Sequence, residues 1–171
     1  MILYLKDAKY VENIILTNKK ISIVIEGKVL EEILINIKNK VLETGGILYG
    51  FKLKENEEYI LFGITEQQEI DKATYCSYNR LDPNHLNIVN NLWKENKAIR
   101  YLGDWHYHPV EFINPSSIDY QTFKKNTKES RTDSKFLFYI IVGKQEFKLF
   151  IYEKKSAKLL DIQKISWDNI I

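Results

Sequence analysis

Apolar positions along this chain change period several times, and each change marks an element. "ISIVIEG" (21–27) gathers β-branched residues in a short run closed by glycine, the pattern of a strand. In "KVLEEILINIKNKVLETGG" the period lengthens. Leu30, Ile33, Leu34, Ile37 and Val41 recur at three- and four-residue spacing and form one helical stripe. Gly45 and Gly46 then end that helix, because glycine accepts the left-handed backbone of a helix terminus. "GILYGFKL" and "EYILFGITE" flank the polar "KENEE", which predicts a β-hairpin. Residues 66–84, containing "YCSYNRLDPN", carry no clear period and read as a loop.

Pro83 opens a second helix, "PNHLNIVNNLWKEN", with Leu86, Val89 and Trp93 in its stripe. "IRYLGDWHYH" reads as a strand, and "PSSIDYQTFKKNTKES" as a third helix whose first turn can use Pro115 and two serines. "KFLFYIIVG", "QEFKLFIYE" and "KLLDIQKI" follow as three strands joined by short turns. This order predicts a mixed α/β fold with a central, largely antiparallel sheet flanked by helices. With no repeat and no Pro/Gly/Ser-rich linker, residues 1–171 read as one domain.

Composition narrows the function classes. The formal charge of +2 demands neither nucleic acid nor an anionic membrane as partner, and "FKKNTKESR" and "YEKKSAK" read as solvated faces. Cys76 is the only cysteine, so there is no internal disulfide framework, and the thiol reads as structural. "MILYLKDAKY" lacks the basic start and long apolar middle of a signal peptide, and no stretch has the length to cross a bilayer. The expected location is cytoplasmic.

Candidate chemistry concentrates in "GDWHYHPVEFINPSSIDY" (103–120). On a strand, His106 and His108 leave the same face while Trp105 and Tyr107 point into packing. On the helix that follows, Ser116 and Asp119 are neighbours. Two imidazoles and a carboxylate make a three-ligand set of the kind that catalytic zinc uses, with one position left for water. Iron and manganese accept the same donors. Asp104 alternates onto the histidine face and is read as a carboxylate that orients one of them, a fourth ligand being the alternative. His85 is read as surface or packing. "YCSYNR" and "VEFIN" either line a groove for an extended peptide tail or pack as ordinary loops.

The segment resembles the JAMM metalloproteases, also called the JAB or MPN domain. His106, His108, Pro109, Ser116 and Asp119 match the family's His-x-His-Pro, six residues, Ser-x-x-Asp pattern. "VLETGGILYG" is similar to the family's upstream glutamate and glycine-rich strand, with Glu43 in the glutamate's place. The resemblance spans about residues 29–143 and is greatest to compact bacterial members, often encoded beside E1/ThiF-like enzymes, including in antiphage systems. Two departures stand out: Tyr107 replaces a usually small residue, and the Glu43-to-His106 gap is longer than in the smallest members.

The resemblance implies a zinc-dependent isopeptidase that releases a ubiquitin-like protein from a conjugate or trims its C-terminal tail. It gives His106, His108 and Asp119 to the metal, Glu43 the role of general base, and Ser116 that of a donor to the developing oxyanion. Two other classes stay open. One is a catalytically silent MPN scaffold, although such relatives usually lack some of these five positions. The other is a RadC-like DNA-repair relative, whose typical His-Asn-His-Pro-Ser-Gly differs from "HYHPVE" here.

Overall fold

The computed structural model describes residues 11–53 and 57–170. The N-terminal segment read above for targeting, and most of the "KENEE" turn, lie outside the described residues.

Two short strands, β1 (Ile14–Thr17) and β2 (Ser22–Ile25), lead into helix α1 (Gly27–Ile37). The hairpin strands follow as β3 (Thr44–Lys52) and β4 (Glu58–Ile64). A two-stranded piece, β5 (Lys72–Ala73) with β6 (Tyr78–Asn79), precedes helix α2 (Asn84–Glu95) and strand β7 (Arg100–Tyr107). Helix α3 (Ser117–Glu129) then leads to β8 (Phe136–Val142), β9 (Glu146–Glu153) and β10 (Lys158–Ser166). Eight strands join one sheet in the order β1-β2-β4-β3-β7-β8-β9-β10. Only β2–β4 and β7–β8 pair parallel, so the sheet is largely antiparallel, as expected.

Strand β8, "FLFYIIV", is buried along its whole length because both of its faces are covered. Its even positions Phe136, Phe138, Ile140 and Val142 join the apolar cluster that includes Leu30 and Ile33 of α1. Its odd positions Leu137, Tyr139 and Ile141 join a second cluster with Phe123 of α3. Phe123 stacks on Tyr139 with centroids 4.5 Å apart and planes 16° from parallel. Strand β7 obeys the same two-residue rule. Trp105 and Tyr107 enter the first cluster, which leaves His106 on the face that α3 covers.

Four local expectations change. Helix α1 stops at Ile37, not at the glycine pair: Asn39 adopts a left-handed backbone (φ 61°), and Val41 is left 64% exposed. Gly45 and Gly46 lie in β3, where the need for glycine is close approach. A Cβ at Gly45 would sit 2.3 Å from the Trp105 carbonyl oxygen, and one at Gly46 would sit 1.9 Å from that of Thr65. In α2 the buried stripe is rotated. His85 and Val89 are buried while Leu86 and Trp93 are about half exposed, because His85 finds polar partners inside. The expected loop 66–84 contains the β5–β6 pair.

Candidate active site

The site forms where β7 ends and the chain turns into α3. Ser116 is the N-cap of α3 and makes a reciprocal capping box with Asp119. The Ser116 backbone N–H and hydroxyl both donate to Asp119 Oδ2, at 2.6 and 2.7 Å, while Ser116 Oγ accepts from the Asp119 N–H at 3.2 Å. One carboxylate oxygen is thereby committed to the helix terminus. The other, Oδ1, lies 3.1 Å from His106 Nε2 and 3.6 Å from His108 Nε2. The two imidazoles bring the same nitrogen, Nε2, within 2.9 Å of each other.

These three donor atoms converge on one point, as metal ligands do. A tetrahedral zinc with bonds near 2.0–2.1 Å sets its donors about 3.3 Å apart. The separations of 2.9, 3.1 and 3.6 Å bracket that edge, so the donor set fits such an ion. Burial pushes the Asp119 pKa up, but hydrogen bonds from His106, His108 and Ser116 outweigh it and hold the carboxyl well below its usual range. It is ready as an anionic ligand.

Glu43 immediately precedes β3 and is buried, with Oε1 3.7 Å from His108 Nε2. The β3–β7 ladder, which pairs Thr44 with Tyr107 and Gly45 with His106, brings it there from 63 residues upstream of His106. Burial raises the Glu43 pKa, with the two histidines opposing and Asp119 reinforcing the rise. A carboxylate so placed is a stronger base than an ordinary glutamate.

Asp104 does not orient a histidine. Its Oδ2 accepts from the Tyr101 hydroxyl at 3.0 Å and from Asn126 Nδ2 at 2.8 Å, while Oδ1 pairs with Arg80 Nε at 3.2 Å. Neither histidine is among its partners: Oδ2 is held by a phenol and an amide, and Oδ1 faces the Arg80 guanidinium as an ion pair without a hydrogen bond. Cys76 is exposed on the rim of the groove.

Residues 75–81, the end of the segment 66–82, line the groove together with α3. Asp71 organises the segment, accepting backbone N–H groups of Gln68, Leu81 and Asp82 at 2.8–2.9 Å. The Tyr78 hydroxyl lies 2.8 Å from both Asp71 Oδ2 and the Gly45 carbonyl, and the Glu43 N–H donates to Thr74 O at 2.9 Å. His85, fully buried, bridges Asp71 Oδ2 at 2.7 Å and Thr65 Oγ1 at 2.5 Å. The expectation of a packing role for His85 thus holds, in a polar form that the helical stripe did not signal. Arg80, at the end of the "YCSYNR" stretch expected as a groove wall, lines the groove, and no local pattern in the sequence distinguishes it from its neighbours.

This buried pair is expected to matter for stability. Burial raises the Asp71 pKa, but the backbone amides, His85 and Tyr78 outweigh it and hold the carboxyl well below its usual range. A depressed native pKa gives stability that is complete above the unfolded value of about 4 and is lost as pH falls toward the native one. Asp71→Asn should therefore flatten the acid limb of stability below about pH 4. His85→Ala should cost about 1–3 kcal/mol in urea unfolding at pH 7, because it removes a buried hydrogen bond to a carboxylate that keeps its backbone amides and Tyr78. Wild-type unfolding curves for both variants would refute the assignment.

No protein-family model matches the sequence. The chain is 27% identical over 125 residues to the CD-NTase/cGAS isopeptidase of Escherichia coli, covering 72% of this chain and 76% of that protein. It is 26% identical over 123 residues to the CD-NTase/cGAS isopeptidase of Vibrio cholerae serotype O1, covering 71% and 73%. Among solved structures it shares its fold with a protein of Desulfitobacterium hafniense, at TM-score 0.51 and 18% identity, over 82% of this chain and 87% of that one. A JAB1/MPN domain protein of Archaeoglobus fulgidus aligns at TM-score 0.42 and 17% identity, over 80% of this chain and 94% of that one.

Proposed function

We propose that this chain is a zinc-dependent isopeptidase of the JAMM/MPN family, a reading supported by its motif and by its isopeptidase relatives. The observation that carries this reading is the convergence of His106, His108 and Asp119, with a buried carboxylate 3.7 Å from one of the imidazoles. The substrate is a protein conjugate in which the C-terminal carboxyl of one chain is joined to an amine of another. The relatives' name favours a CD-NTase/cGAS-type protein as one member of that conjugate, and the motif favours ubiquitin-like attachment chemistry, with an E1/ThiF-like enzyme to build it. No helix among the described residues is long and apolar enough to cross a membrane.

His106, His108 and Asp119 would hold the ion. Bound there, zinc supplies a Lewis acid that brings the pKa of water to about 7. Glu43 then takes a proton from the attacking water and returns it to the departing amine, the step for which its raised pKa suits it. Ser116 keeps Asp119 in place in the resting site. When negative charge develops on the carbonyl oxygen, the Ser116 hydroxyl can rotate toward it, because the Ser116 backbone N–H still holds Asp119 Oδ2 at 2.6 Å. One such donor is worth roughly 3–4 kcal/mol elsewhere.

Purified protein should contain close to one zinc per chain, and a chelator should abolish cleavage of an isopeptide-linked conjugate until zinc is restored. Tight zinc without cleavage of any conjugate would favour the scaffold reading. Cleavage that survives complete metal removal would end the zinc reading.

A further inference from the structure

We propose that Arg80 binds an acidic side chain of the substrate polypeptide, two or three residues from the scissile bond. This deepens the isopeptidase reading and rests on it for the identity of the bond. Arg80 lines the catalytic groove of about 560 Å³ and also the adjoining cavity of about 790 Å³. It is thus shared, with Asn126, by the two linings. Its guanidinium offers five N–H donors in a planar fork. Nε pairs with Asp104 Oδ1 at 3.2 Å, and among the described residues the two terminal amino groups have no hydrogen-bond partner.

Asp104 braces this arginine and leaves the fork available. Its Oδ2 is held by Tyr101 and Asn126, and its Oδ1 lies beside Arg80 Nε in an ion pair that forms no hydrogen bond. A second carboxylate can then approach the free edge of the guanidinium, the bidentate geometry that arginine serves better than lysine. The cavity beyond favours negative charge. Its lining adds Lys97, Arg100 and Arg131 against Glu129 and Asp133, and Asp133 is already paired with Arg100 at 3.2 Å.

Two measures along the fold set the distance from the bond. Asp104 lies two residues before His106 on β7, about 7 Å along a strand. Asn126 lies seven residues after Asp119 on α3, about 10 Å along the helix. An extended peptide advances about 3.3 Å per residue, so 7–10 Å corresponds to its second or third residue.

The test uses full-length zinc-loaded protein and a fluorescent peptide joined through its C-terminal carboxyl to a lysine of a second peptide. Glu, Gln or Lys is placed in turn at each of the three positions on either side of the bond. Affinity is read on the Glu43→Gln protein and turnover on wild type. Glu at the second or third position on one side should bind about tenfold tighter than Gln, and the advantage should shrink when NaCl is raised from 50 to 500 mM. Added to the Glu43→Gln protein, Arg80→Gln should erase the preference, Arg80→Lys should keep part of it, and Arg80→Glu should turn it toward Lys, with zinc content unchanged. The inference fails if the arginine-bearing protein does not discriminate, or if Arg80→Gln weakens Glu and Gln peptides by the same factor. The salt-dependent preference decides the matter if the variants fail to fold. Selective binding with no wild-type cleavage of any conjugate would sink the isopeptidase reading alone, and cleavage without selectivity would sink the Arg80 assignment alone.

Discussion

Glu43→Gln protein is expected to bind zinc as wild type does and to cleave its conjugate about 10² to 10⁴ times more slowly, the range that general acid–base catalysis supplies. The side chain sits beside His108 but is not one of the three atoms that converge on the metal point. An amide of the same shape keeps the packing of this buried position. It loses the basic oxygen, so the proton of water has nowhere to go and the amine leaves unprotonated. A drop in kcat with stoichiometric zinc and unchanged thermal unfolding is the predicted signature. Most of the activity surviving would show that the base lies elsewhere. Loss of zinc together with activity would show that Glu43 belongs to the ligand set.

Asp119→Ala should behave differently, losing metal and turnover together. The carboxylate serves two neighbours at once, with Oδ1 toward both histidines and Oδ2 on the Ser116 amide and hydroxyl. Removing it leaves two imidazoles, too few for a catalytic zinc site, and breaks the capping box, worth about 1 kcal/mol to a helix. Zinc content measured by atomic emission should fall well below one per chain. The zinc-dependent part of the melting temperature should vanish too, since a ligand stabilises only a state that binds it. Asp119→Asn separates the two roles: its carbonyl oxygen can still accept from Ser116, while the anionic ligand is gone. If Asp119→Ala retained full zinc, the metal would not sit between these three residues.

Much of this was legible locally. His106 and His108 share a face because a strand alternates every residue, and Ser116 with Asp119 share a turn because a helix repeats near every fourth. Both facts depend only on backbone periodicity within one element. The three closing strands and the hairpin could be read for the same reason, since "FLFYIIV" and "GILYGFKL" have few other ways to bury their residues. The errors came where a residue's partner lies far along the chain. Val41 fits the helical stripe by spacing, yet α1 stops four residues earlier at Ile37. Gly45 and Gly46 resemble a helix stop, but their reason is the carbonyl oxygens of Trp105 and Thr65 on neighbouring segments. His85 rotated the buried face of α2 because Asp71 and Thr65 wait beneath it.

What the amino-acid order determined by itself was the donor inventory: which side chains share a strand face or a helix turn, and so which could act together. Only the tertiary structure decided that β3 pairs with β7, which carries Glu43 to His108, and that Asp104 belongs to Arg80 and not to a histidine. The reason is physical. Periodicity orients side chains within an element, whereas distances between elements follow from sheet register and core packing, which involve the whole chain at once.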